Sequence, residues 1–364
     1  LNAVPETQPA GDAAEIRLPP VEARPTTDFP FEFTGNATEY FRIWIVNLAL
    51  SIVTLGIYSA WAKVRTQRYF YANTRVAGAP FEYLARPIPI LKGRLIAFVL
   101  FGGYVLSGHF SFKVQIALAL LIAILSPWLI VRGLKFRARY SAWRSINFSF
   151  VGDYGTAYVN YLLLYLIVPF TVSIYYPFLK GRQKRYVVDN TRYGTQPLHF
   201  SALNGDFFPP YLAAFGMFFL WYLGMSFLTG VLIVNLGHSY RHPQPGPLYA
   251  MVGVIYVGVF MIAMFLSARV NNLVYNSIDI GGNRLHSTLR ARDLIGLYLV
   301  NTVAILCSAG MLIPWAMIRL ARYRASRLTL LSVGNLDTFA AAHAPDESAA
   351  GSEVDSVFDI DIGF

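Results

Sequence analysis

The sequence predicts an all-α polytopic integral membrane protein with seven hydrophobic segments, three of them internal repeats that are broken or re-entrant, and small cytoplasmic β-hairpins. Three observations carry that reading. The 364 residues are 55% hydrophobic and only 14% charged, with a mean hydropathy of +0.45, against roughly 25% charged residues in an ordinary soluble domain. Apolar runs near the length of about 20 residues that crosses a bilayer recur at 41–62, 95–110, 114–131, 157–179, 210–235, 247–268 and 294–318. Charge is sorted along the chain: residues 40–336 hold 28 Lys and Arg against six acids, while seven acids lie in 1–39 and seven in 337–364. Basic residues clustered between apolar runs point to anionic lipid headgroups rather than to nucleic acid. The single cysteine, Cys307, lies in an apolar run, where it neither pairs nor completes a metal site.

Taken in order, residues 1–30 read as a disordered leader rich in Pro, Ala and acids, with no cleavable signal peptide visible. A membrane domain spans 31–336, and 337–364 form an acidic tail. Within the membrane domain, residues 31–83 slide by 117 onto 148–200 without a gap and give fourteen identities, among them Phe31/Phe148, Gly35/Gly152, Lys63/Lys180 and Asn73/Asn190. A shift of 254 lays 43–73 on 297–327 with eight identities, including Asn47/Asn301, Gly56/Gly310 and Trp61/Trp315. The order is therefore repeat (31–84), helical hairpin (91–131), repeat (148–201), helical hairpin (210–268), repeat (285–330).

Three columns are identical in all copies: Arg65/Arg182/Arg319, Arg68/Arg185/Arg322 and Tyr69/Tyr186/Tyr323. Spacings of i, i+3 and i+4 place each trio on one helix face. They read either as interface anchors, snorkelling arginines with an interfacial tyrosine, or as contacts for an anionic headgroup or solute. Each copy also carries a helix breaker: Gly56, Pro169 with Pro177, and Gly310 with Pro314. Just ahead of the column Gly56/Ser173/Gly310 lie Thr54, Thr171 and Ser308. Such hydroxyls ordinarily make interhelical hydrogen bonds. Interrupted apolar segments at matching repeat positions also mark transporter sites, which makes Thr54, Gly56, Thr171, Ser308 and Gly310 a candidate polar site.

Topology follows from basic residues. Seven lie in 62–94, five in 132–155, five in 180–209, four in 269–293 and four after 318, against Lys113 and Arg241 alone in the two short hairpin loops. Seven full crossings with the N-terminus outside would put 180–209 and 269–293 outside, against the positive-inside tendency. Repeats that enter and return on one side place every basic loop, and both tails, in the cytoplasm. The stretches "FPFEFTG" and "SINFSFVG" alternate aromatic with polar residues, and "NTRVAGAPFEY", "NTRYGTQPLHF" and "NSIDIGGNRLH" read as short strands about a turn.

The run "FEFTGNATEYFRIWIVNLALSIVTLGIYSAWAKVRTQRYFYANT", followed by "FEYLARPIPILKGR", closely resembles the YjgN-like family of bacterial inner-membrane proteins, and the likeness extends from Phe31 to the acidic end "VFDIDIGF". The resemblance implies a multi-pass inner-membrane location without an assigned reaction, and it supplies no catalytic residue.

Chemistry-bearing motifs are sparse. Of six histidines only His238 and His242 have helical i, i+4 spacing, and neither a third ligand nor a nearby glutamate accompanies them. The sequence predicts no enzyme, no catalytic or metal-ligating residue and no cofactor. Two functions remain: transport or handling of an anionic solute or lipid, or a non-catalytic scaffold or regulator that recruits a protein partner through the hairpins and the tail "SEVDSVFDIDIGF". Membrane lipids, anionic ones first, are the expected partners. A channel is a weaker third reading, because no ring of pore-lining charge is visible.

Overall fold

Phe29, Phe31 and Phe33 alternate with Asp28, Pro30 and Glu32 along β1 (Thr27–Phe33), the period-two pattern of a strand with one buried face. The computed structural model describes residues 26–236 and 246–344. Nine further strands follow among the described residues: β2 (Thr74–Val76), β3 (Ala79–Tyr83), β4 (Ser141–Trp143), β5 (Ile146–Phe150), β6 (Thr191–Tyr193), β7 (Gln196–Phe200), β8 (Ile278–Ile280), β9 (Asn283–Ser287) and β10 (Leu328–Ser332). All neighbours are antiparallel and the sheet closes on itself, β10 pairing with β1 through Thr27↔Ser332 and Phe29↔Leu330. Closure removes the two edges that strands of three to seven residues would otherwise leave unpaired.

On one rim the strands turn through two-residue loops. Ala77–Gly78, Arg144–Ser145 and Gly281–Gly282 each place two residues at positive φ, the twist that matches a tight antiparallel hairpin. On the other rim every connection is helical: α1 (Ala37–Val53) with α2 (Ser59–Asn73), α3 (Pro87–Phe110) with α4 (Phe112–Arg139), α5 (Tyr154–Tyr158) and α6 (Leu164–Phe170) with α7 (Tyr176–Asp189), α8 (Phe208–Leu236) with α9 (Gly246–Asn276), and α10 (Ala291–Cys307) with α11 (Ile313–Ala325). A π-helical turn, Val159–Leu163, joins α5 to α6, and a 3₁₀ turn, Asn204–Phe207, leads into α8. Each helical pair leaves and returns on adjacent strands. The flanking residues are partners in register: Phe33↔Thr74, Tyr83↔Ser141, Phe150↔Thr191, Phe200↔Ile278 and Ser287↔Leu328. Five helical pairs thus stand on one rim of a ten-stranded barrel.

This corrects the expected class. The protein is not an all-α assembly of seven hydrophobic segments, since the short strands join into one closed barrel. Among the described residues four helical stretches are long and apolar enough to cross a membrane, within α3, α4, 204–231 and α9. The other three expected segments are pairs of shorter helices. The reason lies in the backbone. At Leu55–Gly56, Val172–Ser173 and Ala309–Gly310 two successive residues adopt positive φ, and the N–H of Gly56, Ser173 and Gly310 reaches back five residues to Ser51, Val168 and Ile305 O at 2.7, 3.0 and 2.8 Å. That is a helix C-terminal stop. Pro177 and Pro314 then occupy the first positions of α7 and α11, where a missing N–H costs nothing.

The lumen is apolar and aromatic. One cluster draws on all ten strands, with Val76, Trp143, Ile146, Tyr193 and Leu330 buried and Phe29, Phe31, Phe81, Phe148, Leu198, Ile280 and Leu285 packed against them. Outward positions such as Glu32, Arg75, Asn147, Arg192, His199, Arg284 and His286 are exposed. A barrel lying in lipid would show the reverse, apolar outside, so this one stands in water. A last helix, α12 (Leu336–His343), closes the turn-side mouth, burying Leu336 and Ala340 in the lumen cluster. It is latched by the Arg144–Asp337 ion pair, by Thr195 N–H donating to His343 O (3.1 Å), and by Phe339 stacked on Tyr193 at 6.2 Å. Residues 337–343, counted with the acidic tail by sequence, therefore belong to the barrel. The leader up to residue 25, the loop with His238, Arg241 and His242, and the tail from 345 lie outside the described residues.

Tyr193 gives the lumen a pH signature. Its hydroxyl donates to Trp143 O at 3.1 Å, and burial, opposed by the Arg144 charge, raises its pKa from 10.0 to about 12. A folded pKa above the unfolded one means that its stabilising share is full below pH 10 and is lost as pH rises towards 12. Melting temperature is expected to fall over that window, and Tyr193→Phe to flatten the fall while lowering stability at neutral pH by about 1 kcal/mol. Thermal melts at stepped pH, with ultraviolet detection of tyrosinate, check this. An unchanged slope in the variant would locate the alkaline transition elsewhere.

Candidate functional site

The three arginine and tyrosine columns sit on the return helices α2, α7 and α11, where these re-enter the barrel rim. The tyrosines have structural work. Tyr69 Oη accepts from Asn36 N–H (2.8 Å), Tyr186 Oη donates to Asp153 O (2.8 Å), and Tyr323 Oη accepts from Arg290 N–H (3.1 Å). Asn36, Asp153 and Arg290 are the residues that cap α1, α5 and α10. Each return helix is thus pinned to the start of its own outbound helix. Burial first, then the Asp153 charge, holds the Tyr186 hydroxyl well above the usual phenol range.

The second arginine of each trio ties its pair to the next one around the ring. Arg68, Arg185 and Arg322 each donate from Nη2 to a strand–helix junction carbonyl: Ala85 O (3.1 Å), Ala202 O (2.5 Å) and Gly35 O (3.2 Å). Asn272 of α9 does the same to Leu289 O at 2.8 Å. Such bonds to a charged donor contribute about 1.5–3 kcal/mol each, and that of Arg322 closes the ring from its last pair to its first. The first arginines have three different settings. Arg65 is exposed and Arg182 half-buried, while Arg319 lies 5.2 Å over the Trp315 ring and makes a long bond (3.4 Å) to the buried Asn301 Oδ1.

Thr54, Gly56, Thr171, Ser308 and Gly310 lie at the far tips of three separate helical pairs. Their hydroxyls serve the breaks themselves: Thr54 Oγ1 donates to Leu50 O (2.7 Å) and accepts from Tyr58 N–H (2.9 Å), and Thr171 and Ser308 accept from Tyr175 and Leu312 N–H at 3.4 and 3.0 Å. The residues around them are apolar and exposed, Leu55 at 95%, Val172 at 83% and Leu306 at 73%. Exposed apolar surface of this kind marks a membrane or protein contact, and the outer faces of α3 and α8 carry more of it, with Phe98, Phe101, Phe215, Leu220 and Phe227 exposed.

What sequence reasoning missed is a cavity of about 560 Å³ where the lumen meets the return helices. Phe31, Phe81 and Phe148 of the barrel form its floor, Phe70 and Tyr71 of α2, Asn271 and Tyr275 of α9, and Ala321 and Arg324 of α11 its walls. Thr74, Ser141, Ser287, Leu289, Ala325 and Leu328 complete the lining. Arg324 is the one charged residue among those lining it. A signal existed in the repeat identity Phe31/Phe148 and in the alternation "FPFEF" and "INFSF", but alternation shows only that the aromatic face is buried, not that four distant hairpins and the β1–β10 pair share it. Among the described residues no three His, Cys, Asp or Glu side chains gather in a way that could hold a metal.

No solved structure matches the chain. The inner membrane protein YjgN of Salmonella typhimurium LT2 is 24% identical over 359 residues, covering 84% of this chain and 89% of that protein. Proteins of the same name from Escherichia coli K12 and O157:H7 are 32% and 30% identical over 129 and 121 residues, 33% of this chain and 30% of each relative. The model of the family described as "Bacterial protein of unknown function (DUF898)" matches residues 28–357, from the second residue of β1 through every barrel strand to beyond α12, so the chain belongs to that family, the YjgN-like membrane proteins.

Proposed function

We propose that this is a multi-pass inner-membrane protein that handles an anionic lipid or an anionic solute at the cytoplasmic face. Four long helices cross the bilayer, and the three shorter pairs dip into the cytoplasmic leaflet. The apolar part of α1, Ile43 to Val53, is roughly 16 Å long at about 1.5 Å per residue, half of a core about 30 Å thick. The carrying observation is the placement of charge. Return helices α2, α7 and α11, ending on one rim, hold Lys63, Arg65, Arg68, Lys180, Arg182, Lys184, Arg185, Arg319, Arg322 and Arg324, whereas Lys113 stands at the opposite end of α4. With positive charge inside, barrel and basic belt face the cytoplasm, where anionic headgroups meet the belt's cations, the exposed Arg65 among them, at about 1 kcal/mol per cation.

Single-cysteine reporters in a Cys307→Ser background test the orientation. A membrane-impermeant maleimide is expected to label Lys113→Cys in intact spheroplasts and Arg192→Cys or Arg284→Cys only after permeabilisation. Labelling of 192 or 284 from outside would overturn the reading. Co-purified anionic lipid is expected to drop when Arg65, Arg182 and Arg319 are changed together to Gln, and an unchanged lipid content would remove the belt's role.

A further inference from the structure

Deepening that reading, and resting on it for the source of the ligand, we infer that the axial cavity binds a single-chain anionic amphiphile, its head on Arg324 and its chain over Phe31, Phe81 and Phe148. Size is the first argument. The cavity of about 560 Å³ lies within the roughly 300–1,000 Å³ typical of small-molecule sites. At about 30 Å³ per non-hydrogen atom, the liquid share of one water, it admits roughly 19 such atoms. That is the size of a long-chain carboxylic acid and far short of a two-chain phospholipid.

Chemistry is the second argument. Floor and wall present aromatic faces, Phe31 stacked on Phe81 at 6.1 Å, which suit a hydrocarbon. The polar groups converge on the helix side. Tyr71 Oη shares a 3.1 Å hydrogen bond with Ser141 Oγ, and Asn271 Nδ2 donates to Ser267 Oγ at 3.2 Å. Arg324 is exposed, and its hydrogen bond is a long one of 3.4 Å from Nη2 to Tyr298 Oη. Its planar fork of donors matches a carboxylate or phosphate, and no acidic residue is among the described residues lining the cavity. A cation would therefore find no counter-charge there, and a neutral lipid would leave the guanidinium unused.

Third, the site cannot serve as an open passage. Below Phe31, Phe81 and Phe148 the lumen is filled by Trp143, Tyr193 and Leu330 and is closed by α12, so a ligand entering from the membrane side stops on the aromatic floor. The geometry is that of a binding pocket.

The test uses the full chain in phosphatidylcholine nanodiscs, with palmitic acid, tetradecyl phosphate and methyl palmitate as probes in equilibrium binding. Saturable one-to-one binding of either acid, at least tenfold tighter than the methyl ester, is expected. Arg324→Gln should weaken the preferred acid about tenfold and leave the ester unchanged, and Ala321→Phe, which fills the cavity, should abolish both. Preference between the two acids separates a carboxylate from a phosphate head. Equal binding of acid and ester, or acid binding that survives Ala321→Phe in a protein of unchanged melting temperature, overturns the inference. Since Arg65, Arg182 and Arg319 lie outside the cavity lining, loss of the axial site alone leaves the belt's lipid content intact, and failure of the belt alone leaves palmitate binding intact.

Discussion

A chain ending at Gly334 is expected to melt roughly 10–15 °C below one ending at Ala344, although the two differ by ten residues at the end of the described fold. Leu336 is buried in the lumen cluster and Phe339 packs on it. Returning two such side chains to water costs about 1.5–3 kcal/mol each, and each kcal/mol lowers the melting temperature of a domain of this size by about 2–4 °C. Gly194, at φ +56, reports the closeness of the fit, for a Cβ there would strike the His343 carbonyl. The longer chain already lacks 345–364, so the pair of truncations separates a plug from a tail. If both melt together, α12 is not part of the barrel core. If the chain ending at Ala344 behaves as the full protein, the acidic residues beyond it act on something other than stability.

Trp143→Ala is expected to cost about 3–5 kcal/mol, the usual penalty for removing a large aromatic from a packed core. Trp143 is 6% exposed, lies 5.7 Å from the Tyr193 ring and 6.3 Å from Phe81, and carries the Arg144 guanidinium 4.8 Å above it. Its indole Nε1 is buried without a hydrogen-bond partner among the described residues. Trp143→Phe therefore removes an unsatisfied donor along with some volume, and a loss below about 1.5 kcal/mol is expected. Thermal unfolding followed by far-ultraviolet circular dichroism compares the three proteins. Equal losses for Ala and Phe would show that the indole nitrogen holds a partner, such as a bound water, worth as much as the packing.

Local features were legible without coordinates. Gly56 and Gly310 break their helices where a residue without a Cβ readily takes positive φ, and Pro177 and Pro314 start the helices that follow. The three-residue spacing of Arg65 and Arg68 put both on one helix face, but their duties separate only in three dimensions. Both are exposed, and it is Arg68 that meets the Ala85 carbonyl of the next pair. The hydroxyls of Thr54, Thr171 and Ser308 illustrate the converse. A shared repeat column suggested one polar site, and the fold spends each hydroxyl on the turn it belongs to. Arg324, outside every repeated column, is the residue that faces the cavity.

By itself the sequence determined properties that depend on near neighbours and on solvent: the helix breaks at Gly56 and Gly310, and where cationic charge gathers; the break in the second repeat falls at Val172–Ser173, while Pro169 sits inside α6. Only the tertiary structure decided that strands of three to seven residues, up to 305 positions apart as in Thr27↔Ser332, close into a barrel with an aromatic lumen and a cavity at its mouth. The reason is that strand pairing consists of backbone hydrogen bonds between residues remote in the chain. Those bonds leave no periodicity of their own, and a short alternating stretch looks the same in an isolated hairpin as in a closed ring.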